Sequence, residues 1–496
     1  MSLRKYLKAS FQTSISSFFT IFISILRVKI VALIVGTSGI GVLGQLNSLS
    51  SIIQFFVNLG LNNAIIREVS LKNALGENKR IDKLRATFLM LNISIALPLT
   101  IGCFFFSDSL SDWMYDSKEY SNYVKIFSFS ILFTTIANVY QTYLAANKMV
   151  KEILIKSIVI VILNSISIIY LVYKLKTIGI IYSFPINALI NISFLSYFLH
   201  RKELPIYIDN VKEFLSIIDF KLIMPILGLG GVFLFSSLLF QFVNLQIKNI
   251  IIDYSSISVL GNYQAAFNIS KQYVPIFLSS FTVYLLPKFS ENIKSYKINL
   301  EVNTAIKSLL IYSTLPFLLL IIFSGLVSEL LYSSEFKTTG ELLRILLVSE
   351  YIGIVTKIYL TLAYSDNRKS FIILSNLIVG IGLLLFSFSM VPIYGTKGAA
   401  SAYLIMSTLN LIISYSYFRI RKKIFIKTNT IIFFVINVST FIIYLWYPGD
   451  QSIFILFLFP FILLSYVLYV GINNLKKMFV SRSEEHTSEL QSLLII

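Results

Sequence analysis

Arg27, Lys271 and Glu350 stand where ionised side chains are rare, inside stretches otherwise apolar enough to cross a bilayer. A charge at the centre of a membrane helix costs at least about 2.5–3.5 kcal/mol, so such a group faces a partner or a water-filled cavity. Lys271 lies too far from Val259 and from Pro287, the ends of its apolar run, to reach either interface easily. Lys271 and Arg27 are read as cavity-facing cations able to hold an anion, with a buried structural ion pair or a misplaced span as the other readings. Lysine would do so as a point charge, arginine through two parallel hydrogen bonds. Lys29, two positions after Arg27, is turned about 200° from it on a helix and cannot share its face. Lys29 and Lys248 sit closer to a surface and are expected to snorkel there. Glu350 is the one acid deep in an apolar run, and Lys357 falls on the same helical face. Either the two neutralise each other, or Glu350 is a proton- or sodium-responsive coupling group. The amides of Gln54, Asn58 and Asn268 join the candidate set, although intramembrane amides more often bond helix to helix.

The elements that must position these residues are membrane helices. The chain of 496 residues is 56% hydrophobic and only 13% charged, which excludes a string of soluble domains. Apolar runs of about 20 residues recur from end to end and predict fourteen spans, among them 12–35, 42–66, 258–286 and 341–364. The first two read as a helix pair joined by a short Gly-rich turn. The net charge of +18 is topogenic rather than a nucleic-acid signal. Lys and Arg crowd alternate loops (Arg67 through Arg85, Lys288 through Lys307, Arg419 through Lys427), while the opposite loops hold few, such as Lys118, Lys174 and Lys337. By the positive-inside bias both termini are cytoplasmic.

An internal repeat organises the spans. Leu26-Arg27-Val28-Lys29 matches Leu245-Gln246-Ile247-Lys248, and Val42-Leu43-Gly44-Gln45 matches Val259-Leu260-Gly261-Asn262. The unit has six helices, and an even number repeats in the same membrane orientation, with a site expected between the halves. The expected division is a six-helix bundle over 1–201, a cytoplasmic connecting segment over 202–221 and a second bundle over 222–420. An additional helix pair is expected over 421–481. Residues 482–496, beginning RSEEHTSELQS, read as a translated sequencing adapter and not as native sequence. The fold class is therefore all-α and polytopic, two parallel six-helix bundles around a central cavity plus a C-terminal pair. A single cysteine and too few histidines predict no metal site, and without a GxxxxGK[ST] loop neither ATP hydrolysis nor any cofactor is expected.

The block ILRVKIVALIVGTSGIGVLGQLNSLSSIIQFFVNLGLNNAIIREVS resembles the start of the polysaccharide-repeat (O-antigen and capsule) flippases of the multidrug/oligosaccharidyl-lipid/polysaccharide exporter superfamily. VLGNYQAAFNISKQ, LLPKFSE and YGTKGAASAYLIMSTLNLIISY extend the resemblance over roughly residues 1–420. It implies a non-enzymatic carrier of undecaprenyl-diphosphate-linked oligosaccharide, moving the cargo from inner to outer leaflet of the bacterial cytoplasmic (inner) membrane by alternating access. Arg27 and Lys271 would then meet the diphosphate, and Gln54, Asn58 and Asn268 the sugars. A polysaccharide polymerase and a chain-length regulator are implied partners, and nucleic acid is not. A peptidoglycan-precursor flippase, favoured by the fourteen spans, and a drug/cation antiporter of the same superfamily stay open. The antiporter would favour acidic cavity residues, yet the first two spans contain Arg27 and Lys29 and no acid before Glu68.

Overall fold

The computed structural model describes residues 3–446 except 63–64, 67, 70–71, 73–76, 148, 202–223, 276–284, 287, 294 and 296. The expected connecting segment, the second helix of the C-terminal pair and the adapter-like tail lie outside the described residues. In chain order the helices are α1 (Leu3–Asn58), α2 (Asn78–Phe105), α3 (Ser107–Tyr115), α4 (Ser121–Ala146), α5 (Val150–Leu175), α6 (Thr177–Arg201) and α7 (Met224–Tyr254). They continue with α8 (Ile257–Phe267), α9 (Ile298–Ile322), α10 (Ser324–Leu331), α11 (Thr339–Ser365), α12 (Lys369–Tyr394), α13 (Thr396–Lys422) and α14 (Thr428–Trp446). Among the described residues there is no strand, as expected where lipid offers the backbone no hydrogen-bond partner.

Eleven of these helices are long and apolar enough to span a membrane, which makes this a multi-pass membrane protein. The first, Phe19–Asn58, has 40 residues, about twice what one crossing needs. It breaks at Gly36, whose φ of 65° and ψ of −164° lie in a region open essentially to glycine alone. A side chain there would also meet the Glu335 carboxylate at 2.8 Å. The expected Gly-rich turn is thus a single non-helical residue between two spans. With α8 opening span 8 and the last span outside the described residues, the arrangement is consistent with fourteen.

The two repeat motifs pack against each other where α1 resumes after Gly36. A Cβ on Gly261 would collide with the Thr37 carbonyl oxygen, and one on Gly41 with that of Ile257. Thr37 and Ser258 share a hydrogen bond of 2.5 Å between their hydroxyls. Small residues are needed because the backbones themselves make the contact. Lys248 does not snorkel: it is buried, donating to the Gly44 carbonyl at 2.9 Å and to Ser48 Oγ at 2.6 Å. The packing of α7 on α1 brings these oxygens within its reach. Gln45 reaches Met114 O at 2.7 Å and Asn249 Oδ1 at 2.8 Å. Lys29 is likewise engaged, donating to the Leu330 carbonyl at 2.6 Å, where the C-terminal end of α10 favours a cation.

Two compact units divide the chain. The first comprises Met1–Ala265, Ser328–Thr339 and Asn376–Ala399, and the second comprises Ala266–Val327, Gly340–Ser375 and Ala400–Ile496. The first unit is cored by Phe88, Tyr140, Leu144 and Leu195, drawn from α2, α4 and α6. In the second, Tyr351 stacks edge-on against Phe317 and Phe441, and Tyr359 lies parallel to Phe418. Asn299 and Asn303 at the start of α9 clasp the α13–α14 connection. Asn303 donates to Phe425 O at 2.6 Å and accepts from Lys427 N at 2.8 Å, while Asn299 accepts from Phe425 N at 3.1 Å. The connection after α11 is tied by Asp366, which accepts from Arg368 at 2.6 Å and from Lys422 at 3.0 Å. Burial alone would raise the Asp366 carboxyl, but hydrogen bonds and charge from Arg368 and Lys422 outweigh it and hold the carboxyl below its usual range.

Replacing Gly261 by leucine should force the Thr37 backbone away and cost about 1–3 kcal/mol through overpacking, read as a lowered melting temperature of the purified protein. A carboxylate held below its unfolded value stabilises the fold above that value, and the contribution disappears as pH falls through the folded one. Asp366→Asn should therefore lower thermal stability at pH 7, by no more than about 1 kcal/mol for a partly solvated pair. The difference from wild type should shrink as pH falls below the ordinary aspartate value of about 3.9 and the folded-state carboxylate takes up its proton.

Candidate functional site: a lysine–glutamate–lysine cluster

Glu350 and Lys357 both belong to α11. Seven residues are close to two full turns, so the two side chains share a face about 10 Å apart along the axis. Helical Cβ atoms lean toward the N-terminus, so the long Lys357 side chain reaches back toward Glu350. Its ammonium meets Glu350 Oε2 at 2.8 Å. The other carboxylate oxygen, Oε1, is taken by Lys271 at 2.7 Å. One carboxylate therefore bridges two amines from different helices, leaving this trio one positive charge in excess.

Lys271 reaches the cluster through a local departure from α-helical geometry. After α8 the chain runs through a π-helical turn, Asn268–Tyr273, whose wider ring shifts the register of the residues beyond it. The Lys271 ammonium also donates to Ser349 Oγ at 3.2 Å and lies 4.8 Å above the centre of the Tyr403 ring. A desolvated cation over an aromatic face gains up to about 2 kcal/mol. Ser349 donates its own proton to the Tyr403 carbonyl at 3.2 Å, and Phe267 packs edge-on against the same ring. Lys271, Ser349 and Tyr403 thus lock one another across the π turn, α11 and α13.

Exposure is graded through the trio. The side chains of Glu350 and Lys271 are 8% and 12% exposed, whereas that of Lys357 is 42% exposed. The arrangement is one carboxylate shared between a buried inner amine and a more accessible outer one. Among the described residues no group of three or more His, Cys, Asp or Glu side chains is placed to hold a metal ion.

Arg27, the other candidate cation, is half-buried on α1 in the first unit, whereas Lys271 belongs to the second. Gln54 accepts from Asn138 at 2.8 Å, a helix-to-helix amide bond. Asn58 closes α1, and its Oδ1 is buried with no hydrogen-bond partner among the described residues. Asn268 is half-buried at the first position of the π turn. Lys271 is held in an ion pair, one of the two other readings of its depth, and Glu350 serves both lysines, not Lys357 alone. Ser349 and Tyr403 were not singled out by sequence reasoning. Adjacency to Glu350 was the available signal for the first, and the YGTKGAASAYLIM stretch contains the second.

Known proteins share this architecture. The family model described as "Polysaccharide biosynthesis protein" matches residues 30–338, more than half of the chain. No curated protein matches. Among solved structures, the lipid II flippase MurJ in an inward closed conformation is similar over 95% of this chain and all of that one, with a TM-score of 0.66 at 16% identity. An inward-facing multidrug resistance MATE family transporter of the MOP superfamily is similar over 84% of this chain and 98% of that one, with a TM-score of 0.62 at 16% identity. A MOP superfamily transporter from Pyrococcus furiosus gives 0.57, again at 16% identity, over 84% of this chain and 96% of that one. The chain has the fold of the MOP transporters and belongs to the polysaccharide biosynthesis protein family.

Proposed function

We propose that this protein is a flippase for undecaprenyl-diphosphate-linked oligosaccharide repeat units, carrying them from the inner to the outer leaflet of the bacterial cytoplasmic membrane by alternating access. The observation that carries the reading is the excess positive charge of the Lys271–Glu350–Lys357 cluster, set inside apolar helices of a transporter fold. A lipid-linked sugar diphosphate combines a polar glycan with an anion that hydrocarbon excludes. Fixed cations in the protein lower the cost of bringing that anion through the membrane. Arg27 on α1 is the second cation assigned to the diphosphate, and Asn58 and Asn268 are amides assigned to the sugars. Gln54, already bonded to Asn138, would meet a sugar only by exchanging that partner.

The sign of the cluster argues against a drug/cation antiporter, whose cationic cargo would be repelled by it. Glu350 is the acid such an exporter would use, and both of its oxygens are held by lysine. A peptidoglycan-precursor flippase is the second reading. It shares the diphosphate chemistry, and the likeness to MurJ takes in more of this chain than the likeness to the MATE transporters. In the first reading both termini face the cytoplasm, and the protein hands its cargo to a polysaccharide polymerase governed by a chain-length regulator.

Cells depleted of the protein should accumulate lipid-linked oligosaccharide on the cytoplasmic leaflet, and re-expression should clear it. Lys271→Ala and Arg27→Ala should each cut surface polysaccharide about tenfold or more, in line with the 2–5 kcal/mol that losing a desolvated charge contact costs. Immunoblotting should show unchanged protein level. Normal surface polysaccharide from both variants would defeat the diphosphate assignment.

A further inference from the structure

The cluster that would bind the diphosphate is not an open pair of cations. Glu350 spends both oxygens on the two amines, Oε1 on Lys271 at 2.7 Å and Oε2 on Lys357 at 2.8 Å. That is the contact set a phosphate group would make, two oxygens on one centre each accepting from one ammonium. Resting on the flippase reading, we propose that Glu350 is a built-in counter-ion. It occupies the anion site of the empty protein, is displaced when the substrate diphosphate takes over Lys357 and Lys271, and returns to both amines when the substrate leaves.

Three observations support this role. The first is the gradient of exposure. Lys357, at 42%, is the amine that an arriving anion meets first, while Lys271, at 12%, is reached only after the carboxylate has yielded. The second is the difference in how the lysines are held. Lys271 is pinned by Ser349 and the Tyr403 ring as well as by Glu350, so it stays in place as partners exchange. The Lys357 amine bonds Glu350 from the end of a flexible four-carbon stem that can swing toward an arriving anion. The third is charge balance. Without Glu350 the empty site would hold two ammonium groups in an apolar surround, a costly arrangement that an anion would relieve too well to be released. A carrier must bind its cargo and also let it go. A carboxylate competing for the same amines weakens the bound state and stabilises the empty one.

A purely structural ion pair would behave differently, because removing its acid would loosen the lysines and impair anion binding. Binding of geranylgeranyl diphosphate to the purified full-length protein in nanodiscs, alongside surface polysaccharide in cells, separates the two. Glu350→Gln should bind the probe about tenfold more tightly than wild type, equivalent to about 1.4 kcal/mol. It should nevertheless export less polysaccharide at equal protein level, since release becomes the slow step. Should two unbalanced amines prevent Glu350→Gln from folding, the same substitution in a Lys357→Met background leaves a single cation, and it should tighten binding relative to Lys357→Met alone. Unchanged or weaker binding on removing the acid, while Lys271→Ala loses binding, would overturn the counter-ion proposal and leave the anion site standing. Binding by Lys271→Ala equal to wild type would remove the site itself, and the proposal with it.

Discussion

Ionised groups in an apolar helix bundle must find partners, and the Lys271–Glu350–Lys357 cluster is where this chain meets that constraint most fully. Three separate charges at membrane depth would each cost at least about 2.5–3.5 kcal/mol. Sharing one carboxylate between two amines offsets much of that, but only if the helix carrying Lys271 and α11 are held at a fixed rotation and depth. The π turn at Asn268–Tyr273 sets the rotation of Lys271, and Ser349 and Tyr403 supply the remaining contacts. The geometry of the second unit around α11 follows from that requirement, as does its chemistry. The cluster so formed carries one surplus positive charge.

The first unit solves a different problem with backbone instead of charge. Gly41 and Gly261 let the two repeat motifs approach until main-chain atoms touch, Gly44 leaves room for the Gln264 side chain, and several of the polar groups brought inside by that approach find partners there. Lys248 caps the Gly44 carbonyl and Ser48, and Gln45 bonds Asn249 and the Met114 carbonyl. Residues that look like independent cations and amides in the sequence are therefore parts of one joint between the repeats. A lysine on one repeat motif serves carbonyl and hydroxyl oxygens on the other. That use explains a buried lysine without assigning it to a substrate.

Intramembrane polarity alone is a poor guide to function in either unit. Of the polar residues in the spans, Gln54 bonds Asn138 and Asn376 bonds Ser236, both of which tie helix to helix. Asn191 and Asn244 turn back to carbonyls of their own helices. What distinguishes the Lys271 cluster is the combination of like charges sharing one counter-ion, graded exposure and a helix irregularity at the cation.

Much of this protein was legible without coordinates. Hydropathy over a 20-residue window is a local property, so the helical class, the membrane spans and the break near Gly36 follow from composition and glycine placement. The repeat follows from the recurrence of short motifs, and the unusual depth of Arg27, Lys271 and Glu350 from their apolar surroundings. The Glu350–Lys357 contact was also within reach, because a seven-residue spacing on one helix fixes a shared face. Partnership between helices was not. Lys271 and Glu350 are 79 residues apart, and their meeting depends on helix rotation, on a π turn and on packing against Tyr403, none of which leaves a periodic signal. The same holds for Lys248, placed at a surface by its position in the span and buried by the glycines of another helix. The sequence by itself determined which segments cross the membrane and which charges cross with them. Tertiary packing alone decided which of those charges neutralise one another, because side-chain pairing is set by the relative rotation and depth of helices and not by the hydropathy of any one of them.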